Sequence, residues 1–204
     1  MNDIIFYPVA LLAALAVIAA AALPGKDRLE CGSVSGAGTN YQRVTVVGDQ
    51  LCRLQAAGQV DIEQKMTGDE ISSVMITSMA GMLGDRPDRN PHFRLAVDLE
   101  QQFAGFEVRI TVEAKPGDDQ GAEAFEVNYS AGNEGNSGWQ VFQLQPGYRA
   151  YAFTWNVPVR MAEEQALDYL AIRPVVPDKS RSVDIRSVTF ERLQRHTPVP
   201  GTTG

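Results

Sequence analysis

The chain has 204 residues, of which 44% are apolar and 21% charged, an ordinary balance for a globular protein with one sizeable core. Its formal net charge is −7, and no run of Lys or Arg occurs along it. This balance excludes the basic patch of a nucleic-acid-binding protein and the polybasic segment of a lipid-headgroup binder.

The chain begins with a long apolar segment. Residues 4–23 carry no charge and are mostly Ala, Leu, Ile and Val, and Pro24-Gly25 ends the segment. A helix that rises about 1.5 Å per residue extends about 30 Å over this stretch, which is the thickness of a bilayer's hydrocarbon core. A cleaved signal peptide has basic residues at its start, whereas this chain starts Met-Asn-Asp. We therefore expect residues 1–25 to form an uncleaved, single-pass transmembrane anchor.

The side of the membrane on which the rest of the chain lies stays open at this point. Lys26 and Arg28 follow the apolar segment, whereas only Asp3 and the terminal amine precede it, so the positive-inside rule places the following domain in the cytoplasm. The domain type that the later residues indicate more often works outside. We expect a periplasmic domain anchored in the inner membrane of a bacterial cell, with the cytoplasmic side as the alternative.

The residues after the anchor suggest three further parts of the chain. Residues 26–40 are rich in Gly, Ser and Thr and predict a linker, residues 41–194 predict one domain, and residues 195–204 predict a disordered-type tail. Cys31 and Cys52 would enclose about 20 residues as a disulfide, which the loop-entropy treatment values at about 3 kcal/mol. Two unpaired, small apolar residues are the other interpretation, and the sequence leaves both open.

From residue 41 onward, apolar and polar residues alternate in short runs separated by turn residues. A period of two is typical of a strand with one buried face. The pattern is clear where Phe106, Val108 and Ile110 alternate with Glu107 and Arg109. The strands predicted in this way cover residues 43–47, 71–77, 92–100, 106–115, 125–130, 139–144, 149–157, 169–173 and 183–190.

The helical signal is slight, with short helices predicted only at residues 49–57 and 161–166. Many short strands spaced at about ten residues, with few helices, are typical of sandwiches and jelly rolls. The predicted fold class is therefore all-β, a two-sheet jelly-roll sandwich preceded by one transmembrane helix.

The last third of the chain carries more specific patterns. A strand opens at Trp139, a second one reads YRAYAFTWNVP over residues 148–158, and DYLAIRP and VDIRSVTF follow at residues 168–174 and 183–190. In this order the chain resembles the galactose-binding-like jelly rolls, which include the carbohydrate-binding modules of many glycosidases. Tyr148 stands where that family often has Trp. The resemblance implies the sandwich fold and, as one of the family's several functions, sugar binding.

Motifs for catalysis are absent from the sequence. The chain has two histidines, His92 and His196, and lacks the Gly-x-Ser-x-Gly turn, the phosphate-binding loop and the His-Glu-x-x-His pattern. Four loop acids have no defined ligand spacing for a structural calcium: Asp85, Asp88, Asp118 and Asp119. We therefore predict a protein that is not an enzyme and has no cofactor.

A sugar site in such a fold needs aromatic rings that stack on pyranose faces, with amide or guanidinium groups that bind the hydroxyls. The candidate residues for this role are Trp139, Tyr148, Tyr129, Asn128 and Arg173. Packing in the core or at its rim is the other interpretation of each aromatic residue. Trp155 shares a strand face with Tyr151 and Phe153, which predicts a core position.

These features favour a membrane-anchored, non-catalytic module that binds carbohydrate or envelope polysaccharide. The alternative is an accessory or scaffolding subunit of a multi-subunit membrane protein complex. In that case the Ala-rich helix would pack on partner helices, because small side chains allow close approach, and the sandwich would cap the complex. The predicted partners are the lipid bilayer and either carbohydrate or membrane-protein subunits, without nucleic acid.

Overall fold

The computed structural model describes residues 31–159 and 167–195, which form a two-sheet β-sandwich. The predicted anchor, the predicted helix at residues 161–166 and residues 196–204 of the predicted tail lie outside these ranges. Within the described ranges, no helix is both long enough and apolar enough to cross a bilayer. The anchor, and the scaffolding role that depends on it, therefore stay predictions.

The larger sheet has six strands in the described part of the chain. They are β1 (Arg43–Val47), β3 (Val60–Thr67), β4 (Glu70–Met79), β6 (Phe106–Pro116), β9 (Arg149–Asn156) and β11 (Ser180–Arg195). The strand order is β3-β4-β11-β6-β9, and β1 pairs with the second half of β11. All of these pairings are antiparallel, and β3 forms one edge of the sheet.

The smaller sheet has five described strands, which are shorter. They are β2 (Leu54–Gln55), β5 (His92–Arg94), β7 (Ala124–Ser130), β8 (Gln140–Gln143) and β10 (Tyr169–Pro174), in the order β2-β5-β10-β7-β8. Among the described residues there is one α-helix, α1 (Val97–Phe103), and there are three 3₁₀ turns: Gly48–Arg53, Pro87–Arg89 and Gly132–Glu134.

The core lies between the two sheets. The six-stranded sheet contributes fully buried residues such as Val108 and Ile110 of β6. The five-stranded sheet contributes Phe125, Val127 and Tyr129 of β7, which are also fully buried. Alternate residues of each strand face outward, as expected of aligned sandwich sheets. Each large apolar side chain buried in this way contributes about 1.5–3 kcal/mol to folding. The predicted all-β, two-sheet sandwich is therefore confirmed.

The strand predicted over residues 92–100 is wrong beyond its first residues. The chain forms β5 over three residues and then turns into helix α1. Leu95, Leu99 and Phe103 recur at every fourth position and are fully buried, so the helical period competes with the period of two. Gly105 follows the helix at a φ of 76°, a conformation that favours glycine and ends helices.

The described part of the predicted linker, residues 31–40, packs against the sandwich instead of leaving it. Val34 is 1% exposed, and its N–H donates to the carbonyl of Arg94 at 2.7 Å. Cys31 and Cys52 form a disulfide with their Cα atoms 5.2 Å apart, as one of the two interpretations predicted. The helix predicted at residues 49–57 is a 3₁₀ turn that ends at Arg53 and is followed by β2.

Candidate functional site

The outer face of the five-stranded sheet carries polar residues at its centre. Antiparallel pairing sets Arg173 of β10 beside Glu126 of β7, and Tyr169 beside Ser130. Residues 80–91, which connect β4 to β5, lie over this face and contact Arg173. The pleat points these polar groups outward because Phe125, Val127 and Tyr129 on the same strand take the core-facing positions.

Arg173 is held by three groups. Its Nε donates to Oε2 of Glu126 at 2.6 Å, and one terminal nitrogen donates to the carbonyl of Gly84 at 2.6 Å and to Oδ1 of Asn90 at 3.4 Å. Arg173 and Glu126 are 13% and 19% exposed at their side chains. A charge pair that is this well shielded, with one terminal nitrogen also bound to Gly84 and Asn90, has a fixed geometry.

Trp139 lies against this arginine. The guanidinium carbon of Arg173 is 3.8 Å from the centroid of the Trp139 ring, and the indole N–H donates to the carbonyl of Asp85 at 3.0 Å. The side chain is half-buried. The indole is therefore fixed both by the cation over its ring and by the hydrogen bond at its nitrogen.

A polar cavity of about 390 Å³ lies on the same side of the sandwich. Its lining includes one charged pair and several amide, hydroxyl and phenol groups: Arg86, Asp88, Ser130, Asn133, Asn136 and Tyr169. The guanidinium of Arg86 binds both carboxylate oxygens of Asp88, at 3.0 and 2.7 Å, so the two charges cancel. The cavity therefore offers hydrogen-bond donors and acceptors without a net charge.

Asn128 connects the sheet to this cavity. Its side chain is 2% exposed, and its Nδ2 donates to Oδ1 of Asn136, a residue of the cavity lining, at 3.2 Å. Its Oδ1 accepts no hydrogen bond from the described residues. A buried amide oxygen without a partner costs about 1–3 kcal/mol of stability. Asn128 does not itself line the cavity, so it acts on the cavity through its hydrogen bond to Asn136. We call Trp139, Arg173, Asn128, Asn136 and the cavity the Trp139 site.

Tyr129 does not belong to this site, although it was one of the predicted ligand-binding residues. Its side chain is fully buried, and its hydroxyl donates to Oδ2 of Asp168 at 2.8 Å. Its ring packs against Trp155 at a centroid distance of 5.1 Å, and Trp155 contacts the core as predicted. Tyr129 faces inward with Phe125 and Val127, so it cannot stack on a sugar.

Tyr148, the remaining predicted aromatic residue, lies on the opposite sheet. The guanidinium of Arg186 is 4.5 Å from its ring centroid, and the ammonium of Lys115 is 5.4 Å away. Burial raises the pKa of the Tyr148 phenol, while a hydrogen bond with Ser73 acts in the opposite direction. The ring is half-buried under these cations, so Tyr148 has a packing role of its own and lies apart from the Trp139 site.

Charged residues surround Tyr148 on the outer face of the six-stranded sheet. Asp184 is fully buried and accepts from Nζ of Lys65 at 2.8 Å. Lys65 and Lys115 each bind Asp118 at 2.6 Å. Hydrogen bonds from Lys115 and then Lys65 lower the pKa of Asp118 to about 2. We call Tyr148 and these four residues, together with Arg186 and its partner Glu113, the Tyr148 cluster.

The lysine at the centre of this cluster is held in its charged form. Burial is the largest influence on Lys65 and lowers its pKa, but the hydrogen bonds to Asp118 and Asp184 together raise the pKa above its ordinary value. Arg186 similarly lowers the pKa of Glu113 through a hydrogen bond. The cluster therefore balances its charges internally, which is typical of a structural network.

The described residues do not assemble a metal-binding group. Within residues 31–159 and 167–195, no three His, Cys, Asp or Glu side chains come together as a possible metal site. Two of the loop acids considered for calcium are paired, Asp88 with Arg86 and Asp118 with the two lysines. The ring nitrogen Nδ1 of His92 lies 2.8 Å from the carbonyl of Asn90 rather than from a carboxylate.

The sequence predicted some residues of the Trp139 site and missed others. Trp139, Arg173 and Asn128 come together as candidates on one face, whereas the contributions of Asp85, Glu126 and Asn136 were not predicted. Asn136 lies in the Gly-rich turn before β8, whose composition indicates only a turn. Glu126 could have been found, because it lies on the polar face of β7 beside Asn128.

No protein-family model and no curated protein sequence matches the chain. Among solved structures, the CBM22-1–GH10 modules of Clostridium thermocellum xylanase 10B, complexed with xylohexaose, align over 79% of this chain and 28% of theirs, at 10% identity and a TM-score of 0.44. A CBM4 structure aligns over 78% of this chain and 91% of its own, at 11% identity and a TM-score of 0.44.

The C-terminal CBM6 of the Zobellia galactanivorans laminarinase LamC aligns over 73% of this chain and 98% of its own, at 10% identity and a TM-score of 0.36. These structural neighbours are carbohydrate-binding modules, alone or joined to a catalytic module. At such low identities and TM-scores the likeness carries no argument about function. The fold assignment rests on the strand order and the packing of the chain itself.

Proposed function

We propose that this protein is a non-catalytic carbohydrate-binding module that binds a glycan at the Trp139 site. The observation that carries the proposal is the fixed ring of Trp139 on the same sheet face as an uncharged, amide-rich cavity. A ring that is already held by Arg173 and Asp85 loses little freedom when a sugar stacks on it, so more of the contact energy remains as affinity.

The chemistry of the lining favours a neutral glycan. Arg86 and Asp88 neutralise each other, and Arg173, which lies outside the cavity lining, is bound to Glu126, so the described residues of the site offer no unpaired cation to a uronate, sulfate or phosphate group. Amide and hydroxyl groups such as those of Asn133, Asn136 and Ser130 can both donate to and accept from sugar hydroxyls. The resemblance of the sequence to galactose-binding-like jelly rolls supports the same ligand class.

Calorimetry with the full-length chain in detergent tests this function. We expect soluble neutral oligosaccharides, with xylohexaose among them, to bind with dissociation constants in the micromolar-to-millimolar range. Trp139→Ala removes the stacking surface and should weaken binding by about tenfold or more, which corresponds to an aromatic contact of about 1.4 kcal/mol. Asn133→Ala, which leaves the sheet unchanged, should weaken binding by a smaller factor.

Tyr148→Ala is the matched control, because it removes an aromatic side chain from the opposite sheet. This variant should bind as the unaltered chain does. Absence of binding across a broad panel of neutral glycans would remove the proposed function. Equal losses in the Trp139 and Tyr148 variants would remove the Trp139 site.

The proposal extends to the location of the domain. A disulfide such as Cys31–Cys52 persists in oxidising compartments, so it supports a periplasmic domain held at the inner membrane by the predicted anchor. In cells with a permeabilised outer membrane, a membrane-impermeant maleimide should label both cysteines only after reduction. Labelling that requires lysis of the inner membrane would instead place the domain in the cytoplasm.

A further inference from the structure

A second cavity, of about 620 Å³, lies on the opposite side of the sandwich from the Trp139 site. Outward-facing residues of β3, β4 and the start of β11 line it, together with the tight loop between β6 and β7. The lining residues that decide its chemistry are Asp61, Met75, Met79, Asp119 and Gln120. Among the described residues that line this cavity there is no aromatic ring and no Lys, Arg or His, so the cavity differs from a sugar-stacking site.

The acids at this cavity differ from several acids on the same sheet face that form ion pairs. Asp184 is paired with Lys65, Glu113 with Arg186, and Glu191 with Arg109. The side chains of Asp61 and Asp119 make no hydrogen bond or ion pair with the described residues, and neither does that of Glu63, the next outward-facing residue of β3. The cavity therefore presents negative charge that the chain itself does not balance.

The cavity opens at a free strand edge. Strand β3 pairs with β4 on one side and has no described strand on the other. Such an edge has backbone N–H and C=O groups that can pair with an added strand. Gly117 holds the opposite wall close, since a side chain there would meet Ser182, and the N–H of Ser182 donates to the carbonyl of Gln120 at 2.9 Å.

We propose that the β3 edge is a docking surface for a basic, extended segment of a partner protein. The segment adds to the six-stranded sheet beside β3 and places a lysine or arginine side chain in the cavity. The carboxylates of Asp61, Glu63 and Asp119 attract the charged ends. The flexible, half-buried and exposed thioethers of Met75 and Met79 accommodate the apolar stem of the side chain.

The choice of a basic protein segment follows from charge and shape together. Lys65, the only cation of β3, is already bound to Asp118 and Asp184, so it does not repel an incoming basic strand. The unbalanced acids favour a cation over the neutral glycan that suits the Trp139 site. This inference is independent of the proposed function, because it concerns the other sheet and a different ligand class.

Fluorescence polarisation with the full-length chain in detergent tests the proposal. The probe is a short labelled peptide with lysine at alternate positions and valine or threonine between them, and the comparison peptide has glutamate in place of lysine. We expect the lysine peptide alone to bind. The double variant Asp61→Asn/Asp119→Asn should weaken its binding by about tenfold, as expected for two exposed charge pairs of about 0.7 kcal/mol each.

Asp69→Asn is the matched control, because it removes one exposed acid from the β3–β4 turn away from the cavity. This variant should change the affinity by less than about twofold, and hydrogen exchange of the β3 amides should slow when the peptide is bound. The proposal is overturned if the lysine peptide does not bind, or if Asp69→Asn weakens it as much as the double variant. It is also overturned if the exchange rates of the β3 amides are the same with and without the peptide. The same holds if a dimer of the chain protects these amides before the peptide is added.

Discussion

Two aromatic side chains, one on each sheet, lie beneath an arginine that a glutamate holds. Trp139 lies 3.8 Å from the guanidinium carbon of Arg173, which binds Glu126, and Tyr148 lies 4.5 Å from that of Arg186, which binds Glu113. The three-part arrangement is the same on both sheets. What differs is its shielding from water, since Arg173 is 13% exposed and Arg186 is 47% exposed.

This difference in shielding separates the roles of two arrangements that are built from the same types of residue. On the five-stranded sheet, residues 80–91 lie over the pair and satisfy Arg173 through the carbonyl of Gly84, so the geometry of Trp139 is fixed. On the six-stranded sheet, no such loop satisfies Arg186, whose described hydrogen bonds go to Glu113 alone. A rigid platform beside a cavity suits ligand binding, whereas the more exposed Arg186–Glu113 pair contributes little energy.

Replacement of Arg173 should give the largest effect. Arg173→Ala leaves Glu126 shielded without its cation and removes the donors to Gly84 and Asn90, so the free energy of unfolding should fall by about 3–4 kcal/mol. Urea unfolding of the purified chain measures this loss. Arg186→Ala, the equivalent change on the other sheet, should cost less than about 1 kcal/mol, as expected of an exposed pair.

The two arginine variants together test whether shielding from water is what distinguishes the two arginine–glutamate pairs. Similar losses in both variants would mean that the two arrangements are equivalent and that residues 80–91 do not strengthen the Trp139 site. Arg173→Lys helps to separate charge from geometry, because lysine keeps the charge but lacks the planar fork. We expect it to recover less than half of the loss.

The disulfide should give the next largest effect, on the side of the short strands. Cys31 and Cys52 are 21 positions apart, and they hold residues 31–34 beside the end of the five-stranded sheet, where Val34 pairs with the residues after β5. The double variant Cys31→Ser/Cys52→Ser should lower the free energy of unfolding by about 3 kcal/mol. Denaturation of the unaltered chain with and without reductant provides the second measurement.

Hydrogen exchange shows where that loss acts. Amides of β2 and β5 should lose protection first in the double serine variant, while those of β6 and β11 keep theirs until global unfolding. If all strands lose protection together, the disulfide stabilises the whole sandwich, and the contrast between the two sheets does not extend to their local stability.

Most of the strands could be predicted from the sequence, because a strand with one buried face repeats every two residues. This pattern is strongest in β6 and β7, where most apolar residues, such as Val108, Ile110 and Phe125, face the core. Strand β3 was missed because it is an exposed edge, with only Val60 and Ile62 packed against the core. Its hairpin with β4 turns at Gly68, whose φ of 64° suits a two-residue loop.

The candidate site was less predictable than the fold. The alternation that places Phe125 and Val127 in the core places Tyr129 there too, so its burial could be read from the sequence. The path of residues 80–91 over the sheet could not be predicted from the sequence, because nothing in a loop's composition determines which face of a sheet the loop covers. Asp85 and Gly84 bind Trp139 and Arg173 through backbone carbonyls, which no residue type reveals.

Removal of single tyrosine hydroxyl groups should show the same difference in stability between the two sheets on a smaller scale. Tyr129→Phe removes a buried donor to the Asp168 carboxylate and should cost about 2 kcal/mol. Tyr148→Phe removes a half-buried hydroxyl that forms hydrogen bonds with Ser73 and Asp184 on the other sheet, and it should cost less, about 1 kcal/mol. Urea midpoints of the two variants test this. An equal or larger loss in Tyr148→Phe would make the Tyr148 cluster the more highly organised of the two regions.

The smallest effect should come from acid, and it concerns the Tyr148 cluster. Lys115 and Lys65 lower the pKa of Asp118 to about 2, whereas an aspartate in an unfolded chain titrates at about 3.9. Its contribution is therefore complete above about pH 4 and is lost as the pH falls from there towards about 2, because the unfolded chain binds the proton first. Asp118 is 63% exposed at its side chain, so solvent screening keeps the contribution below about 1 kcal/mol.

Urea midpoints measured across this pH range, at low and at high salt, isolate the contribution of Asp118. Asp118→Asn should reduce the loss of stability on acidification, and high salt should erase the difference between the variant and the unaltered chain. Asp69→Asn, which removes an acid without a described partner, should leave the slope unchanged. If Asp118→Asn leaves the slope unchanged as well, the ion pairs of the Tyr148 cluster contribute nothing measurable, and shielding alone distinguishes the two sheet faces.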